Sequence, residues 1–358
     1  MEIYLSVIYG QLNCMPILHK LGADADRKNN DGNTPIHLAV IHDSVCALNI
    51  LIKMKADIDL ENKTGNTALH ETIIRHRWKS CHSLINARAN IDRRNNDGDA
   101  TIDLASIHDS ASIIYRLTEM KANIDAINNK GNTALHEAII RHHWEVCLIL
   151  IRSGANVDKA NVKGNRPLHL ALTQDGAEEI VSVLIPIVHR INALNDNDNR
   201  TLHLAVMFNR LDGLRKLVQY GANVNFFNNS GNNALHLVVM LGHEAAVKTF
   251  CCFPNNVDYM NKEGNRVIHV AALSANPQTI FILSDFYVAI NSRNSNWVTD
   301  LHLAAHHNKT SAIDALIKCN ANINFMNREE HTPLFTAMKY YNKEAFNLLL
   351  KFKPNLDT

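Results

Sequence analysis

Apolar residues along this chain come in short dense runs of two alternating kinds, separated by polar stretches. The first kind is rich in Ala, Leu and Ile, as in Ile36-His37-Leu38-Ala39-Val40. The second is more apolar, as in Val45 through Ile52, where Leu48, Leu51 and Ile52 recur at helical spacing on one face. Between pairs of runs stand phrases such as Asn29-Asn30-Asp31-Gly32 and Asn128-Asn129-Lys130-Gly131, the chemistry of a hairpin-like turn. The pattern predicts pairs of short helices joined by polar tips. Thr34 is placed to cap the first helix of such a pair, and Pro35 suits its first position, where an N–H has no partner anyway. Gly154 and Gly221 fall just past second helices, where a left-handed residue ends a helix at little cost.

The pattern repeats with a fixed period. Gly32-Asn33-Thr34-Pro35-Ile36-His37 returns as Gly65-Asn66-Thr67-Ala68-Leu69-His70, and again around His136, His169, His203, His236, His269 and His302. Asp103 and Phe335 keep the register in place of histidine. Every step is 33 residues except the one from His169 to His203, which is 34. A period of this length marks stacked units, each packing on its neighbours, since one helix pair cannot bury its own faces. A longer 66-residue echo, with Ile41-His42-Asp43-Ser44 matching Ile107-His108-Asp109-Ser110, points to growth by duplication of pairs.

The turn, the Thr-Pro-Leu-His phrase and closing phrases such as Gly154-Ala155-Asn156-Val157-Asp158 and Gly221-Ala222-Asn223-Val224-Asn225 resemble the ankyrin repeat over essentially the whole chain. The resemblance implies an all-α solenoid of helix-turn-helix units with short β-hairpin-like tips. Residues 1–25 then form an N-terminal capping half-repeat with Tyr4 in the histidine slot, and residues 26–358 one continuous array of about ten repeats. The stretch Thr173 to Glu179 reads as an enlarged loop that absorbs the extra residue, with Glu178-Glu179 on it facing solvent, and as a place for a local kink. Lys351 to Asp357 begins what reads as a further hairpin, as if cut from something longer.

Composition narrows the function. A net charge of +1 with mixed signs, 6% aromatics and no basic stripe argue against nucleic-acid binding. No apolar run approaches the ~20 residues a membrane span needs, so no membrane insertion is expected. The seven cysteines have no paired framework and read as buried free thiols of a cytoplasmic protein. Asparagine is abundant at the tips, where it tolerates left-handed turns.

Chemistry is sparse. The repeated histidines read as structural, each bridging its own turn and its neighbour. His70-Glu71 and His136-Glu137 open like a zinc-binding His-Glu-x-x-His, but Ile74 and Ile140 stand where the second histidine should be. No phosphate loop, nucleophile elbow or Cys–His signature occurs, so no enzyme activity, cofactor or metal is expected. Trp78 and Trp144 read as packing residues at the start of second helices.

What remains is a surface. The resemblance implies that a partner protein meets the concave face, made of tips and first-helix ends. In the early repeats the helix-end positions hold Ile41, His42, Ile74, Arg75, Ile107, His108, Ile140 and Arg141. Later they become Met207, Phe208, Met240 and Leu241, with Phe227 and Met260 at the nearby tips. Apolar side chains where solvent is expected are informative, and Met beside Phe suits an adaptable surface. Trp297, in place of a turn glycine, with His306, His307 and Tyr340, extends the candidate groove. The expectation is a monomeric scaffold for a partner protein, resembling secreted effectors of intracellular bacteria that act in the host cytosol. The alternative is the targeting arm of an enzyme whose catalytic domain lies outside this chain.

Overall fold

The apolar runs fold as the pairs of helices they predict. Pro35–Ile41 is followed by Val45–Lys53, and Ala68–Ile74 by Trp78–Asn86. The computed structural model describes residues 2–253, 257, 259–274, 276–286 and 288–355. These residues contain 22 α-helices and no extended strand; the pairings Leu194 with Arg200 and Arg293 with Thr299 are isolated bridges at tips. They group into two compact units, Met1–Ile187 and Val188–Thr358. The boundary falls in the repeat that carries the single 34-residue step.

In the first unit the first helices Pro35–Ile41, Ala68–Ile74, Thr101–Ile107 and Ala134–Ile140 pack in a row. In the second, Thr201–Met207, Ala234–Leu241, Val267–Ser274, Asp300–His306 and Pro333–Lys339 do the same. The core lies between the rows of first and second helices and consists of fully buried Leu48, Leu51, Leu69, Ile73, Leu84, Ile113 and their counterparts. Each such side chain contributes roughly 1.5–3 kcal/mol through burial. At the N-terminus Glu2–Ile8 occupies the place of a first helix, and the Tyr4 hydroxyl accepts a bond from Asn29 Nδ2 at 2.9 Å.

The histidine slot is the seam between repeats. Within its own repeat, His70 Nδ1 accepts the Thr67 N–H at 3.0 Å, and the His70 N–H reaches Thr67 Oγ1 at 3.5 Å. Across to the next repeat, His70 Nε2 donates to the Arg93 carbonyl at 3.0 Å. His37, His136, His203, His236, His269 and His302 make the same outward bond, at 2.8–3.1 Å, to Asn66, Asn165, Phe226, Asn265, Val298 and His331. A carbonyl only accepts, so in the neutral ring the proton sits on Nε2, which leaves Nδ1 bare to accept the backbone N–H at His37, His70, His136, His203 and His269. His136→Ala removes a donor and an acceptor at a fully buried position. It is expected to lower stability by roughly 1–3 kcal/mol, read as a lowered thermal midpoint.

Two further ladders run along the tips. The side chain of the turn asparagine accepts from the backbone two and four residues on, as Asn62 Oδ1 does from Thr64 N and Asn66 N, both at 3.0 Å. Its Nδ2 reaches back to the preceding repeat, as from Asn62 to Asn33, Asn95 to Asn66, Asn161 to Asn132, Asn261 to Asn232 and Asn294 to Asn265. Nearer the second helices, Asp26 Oδ1 accepts Asp57 N, Asp59 accepts Asn90 N, and Asp92 accepts Asn123 N, all at 2.9 Å. The asparagines are therefore chosen for their amide hydrogen bonds, beyond their tolerance of turns.

Two sequence expectations are corrected. Glu178 and Glu179 are exposed but lie in the first turn of the helix Glu178–Leu184, where carboxylates complement the helix dipole. The extra residue sits in the loop 174–177, between that helix and Pro167–Thr173. All seven cysteines are free, but only Cys81 and Cys147 are buried; Cys14, Cys46 and Cys252 are exposed. Burial pushes the Cys81 thiol up to about 11 and Cys147 up to about 12, so neither is a nucleophile. Of the C-terminal hairpin, Asn355 N donates to Asn324 Oδ1 at 2.8 Å, while Leu356 and Asp357 lie outside the described residues.

Candidate functional site

The candidate row in the second unit is built by three local events. Helix Thr201–Met207 ends at Phe208, whose backbone (φ −98°, ψ 12°) turns the chain and leaves Met207 and Phe208 at the rim. Helix Ala234–Leu241 runs one residue longer because Gly242, at φ 69°, caps it in the left-handed region, and Met240 and Leu241 end up at the equivalent edge. Helices Thr201–Met207 and Ala234–Leu241 pack side by side, so the two helix ends that bear these side chains are neighbours. At the tips, Phe226 turns inward under the Arg200 guanidinium, 4.0 Å from the ring centre, while Phe227 turns outward.

Met207, Phe208, Phe227, Met240 and Leu241 each expose 40–50% of their surface, and Met260 is half-buried. The tip position of Phe227 and Met260 carries Lys28, Glu61, Arg94, Ile127 and Ala160 in the first unit, so the turn itself does not call for a large apolar side chain there. Tyr259, which the sequence reading did not single out, completes the row; its ring stands edge-on to Phe227 at 5.7 Å and is half exposed. Its neighbour Met260 was the available signal, since tip residues one before that slot are otherwise small or charged in most repeats.

The remaining candidates form a second group. His306 stands edge-on to Tyr340 at 4.0 Å and to His307 at 4.4 Å. All three line a cavity of about 460 Å³ together with Arg328, Glu329, His331 and Lys339. Glu329 is held by Lys339 Nζ at 2.9 Å and His331 Nδ1 at 3.0 Å, and Lys339 holds its carboxyl below the usual range. Burial lowers the His306 imidazole, with the neighbouring His307 adding to the effect. Trp297 does not line this cavity. Its backbone sits at φ 62°, the conformation a turn glycine would hold, and its ring lies under Arg293 at 4.9 Å, the same guanidinium that covers Phe325 at 4.8 Å. The structure thus gathers the apolar row in one place and His306, His307 and Tyr340 in another.

Among the described residues no three His, Cys, Asp or Glu side chains come together as ligands for a metal, and no helix is long and apolar enough to cross a membrane. The slot histidines are buried in the seam and spent on backbone bonds, leaving none to act as an acid or base. What the surface presents is flexible thioethers and aromatic rings beside polar tips.

A family model described as ankyrin repeats (3 copies) matches residues 3–95, 74–161, 102–198, 156–228, 202–294 and 301–358. No curated protein matches the chain.

Proposed function

Because the chain belongs to the ankyrin repeat family, whose members are generally protein–protein interaction modules, we propose that it is a scaffold that captures a partner protein on the apolar row of its second unit. The observation that carries this reading is the shared exposure of Met207, Phe208, Phe227, Met240 and Leu241, with Phe208 and Leu241 at helix ends that hold His42, Arg75, His108 and Arg141 in the first unit. Covering one such side chain is worth roughly 1.5–3 kcal/mol, so two or three central ones suffice as anchors. The cluster of His306, His307 and Tyr340 extends the contact toward the C-terminal repeats, with polar tips as its rim. The exposed thiols of Cys14, Cys46 and Cys252 favour a reducing, cytoplasmic setting for this encounter.

The double change Phe208→Ser with Met240→Ser tests it. Captured partner, identified by mass spectrometry from a pull-down with the unaltered chain, is expected to be lost by at least roughly a hundredfold in affinity. The thermal midpoint is expected to stay within a few degrees, because neither side chain is buried. A double variant that holds the same partner as tightly as the unaltered chain places the anchors elsewhere.

A further inference from the structure

The apolar row belongs to the second unit; the first carries a groove of different chemistry. About 910 Å³ opens between the helix ends Ile107 and Ile140 and the tips that bear Lys130, Val162 and Lys163. Ile107, Ile140, Val162 and Leu170 give it an aliphatic lining. Val162 is 65% exposed, at a tip position held by Asn30, Lys63, Asn96 and Asn129 in the preceding repeats. Its side chain makes no hydrogen bond in the turn, where Lys163 N and Asn165 N donate to Asn161 Oδ1, both at 3.0 Å.

The rim has one sign. Lys130, Arg141 and Lys163 are exposed, and among the described residues neither lysine forms an ion pair. The one carboxylate in the lining, Glu137, is buried, and its charge is already committed. Its Oε1 accepts from Asn128 and Asn132 at 3.0 and 2.8 Å, and Oε2 lies 3.7 Å from Arg141 Nε. Glu137 so steadies the guanidinium at the edge and leaves its outer donors for a ligand. The cluster built alike two repeats earlier, Glu71 with Arg75 at 2.9 Å, has Lys63-Thr64 at its tip and no counterpart of Val162. The lining holds no Phe, Tyr or Trp, and its one ring, the His143 imidazole, is tied to the Ser106 carbonyl at 2.8 Å, so the groove lacks the row of stacking platforms a single-stranded nucleic acid would use.

From this charge complementarity we propose that the groove binds an extended acidic peptide segment. An aliphatic side chain would rest on Ile140 and Val162, and flanking carboxylates would meet Arg141, Lys130 and Lys163.

The full chain, titrated into a fluorescein-labelled peptide of alternating Glu and Leu, tests this by anisotropy. Binding is expected to weaken roughly tenfold when salt is raised from about 50 to about 300 mM, because the rim charges are exposed. Lys130→Glu with Lys163→Glu is expected to weaken it by roughly tenfold or more, and Val162→Ser by roughly five- to tenfold. Thermal melts of these surface variants establish that they are folded. Phe208→Ser with Met240→Ser is expected to leave peptide affinity unchanged, which separates this site from the apolar row. Equal binding of a Lys–Leu peptide, wild-type affinity in the charge-reversed variant, or binding of a single-stranded oligonucleotide without the peptide would each overturn the proposal.

Discussion

Acidification from pH 7 to pH 4 is expected to unfold the protein. Burial pushes His70, His136, His269 and His302 down to about 4, and lowers His37, His203 and His236 as well. In the unfolded chain these imidazoles take up protons near pH 6.5, whereas burial resists this in the fold, and at His37, His70, His136, His203 and His269 a proton on Nδ1 would also face the Thr or Arg backbone N–H that it now accepts. The unfolded state therefore binds more protons below pH 6.5, and stability falls as pH drops from about 6.5 to about 4. The four strongest shifts are each worth roughly 3 kcal/mol at the end of that window. Two buried carboxyls work the other way, Asp103 raised to about 8 and Asp300 to about 6, because the fold binds their protons more tightly than the unfolded chain does. The net loss is on the order of 5–10 kcal/mol, comparable to the whole stability of a typical domain. Circular dichroism at 222 nm across pH 7 to 4 measures it. A helical signal unchanged at pH 4 would show that the seam tolerates protonation.

The substitution Asp103→Asn is expected to stabilise the protein at alkaline pH. Asp103 occupies the histidine slot of its repeat and is fully buried. Its Oδ2 accepts the Ala100 N–H at 2.9 Å, as Nδ1 does elsewhere, but Oδ1 has no partner on the side where the imidazole would donate. Desolvation pushes the carboxyl up to about 8. In the unfolded chain it ionises near 3.9, so its contribution falls steadily as pH rises from about 4 to about 8 and stays low above that. An asparagine of the same shape keeps the acceptor, supplies an N–H in place of Oδ1, and does not titrate. Above pH 8 the gain is expected to be roughly 2–4 kcal/mol, against a change near zero at pH 4. Urea midpoints of the two proteins at pH 5 and pH 8.5 decide it. An equal effect at both pH values would mean that Asp103 is already ionised in the fold.

The register of the repeat was legible in the sequence because His70, Pro35 and Gly65 each do a local job that only a few residue types can do. The outward exposure of Met207, Phe208 and Met240 was legible for the same reason, since register alone fixes which side of a helix end faces water. What escaped was set by side-chain partners and facing that the one-dimensional pattern does not carry. The amide ladder through Asn62 and Asn95 looked like turn chemistry, because a turn also selects asparagine. Glu137 looked like half of a metal motif, and its service to Arg141 appears only when Asn128 and Asn132 are seen beneath it. The cysteines were misjudged because a position near a second helix does not say which face it takes: Cys147 points inward and Cys46 outward.

The bonds between repeats have a consequence for how the chain is made. The outward bond of His70 closes over 23 residues, that of His37 over 29, and the tip bond from Asn129 to Asn96 over 33. None waits for a distant segment. As the chain leaves the ribosome, each newly exposed repeat can seat itself on the one before it, so the N-terminal half is able to fold while the rest is still being translated. Under tension the same locality works in reverse. A chain pulled from its end should yield one repeat at a time, each releasing on the order of 110 Å of extended polypeptide.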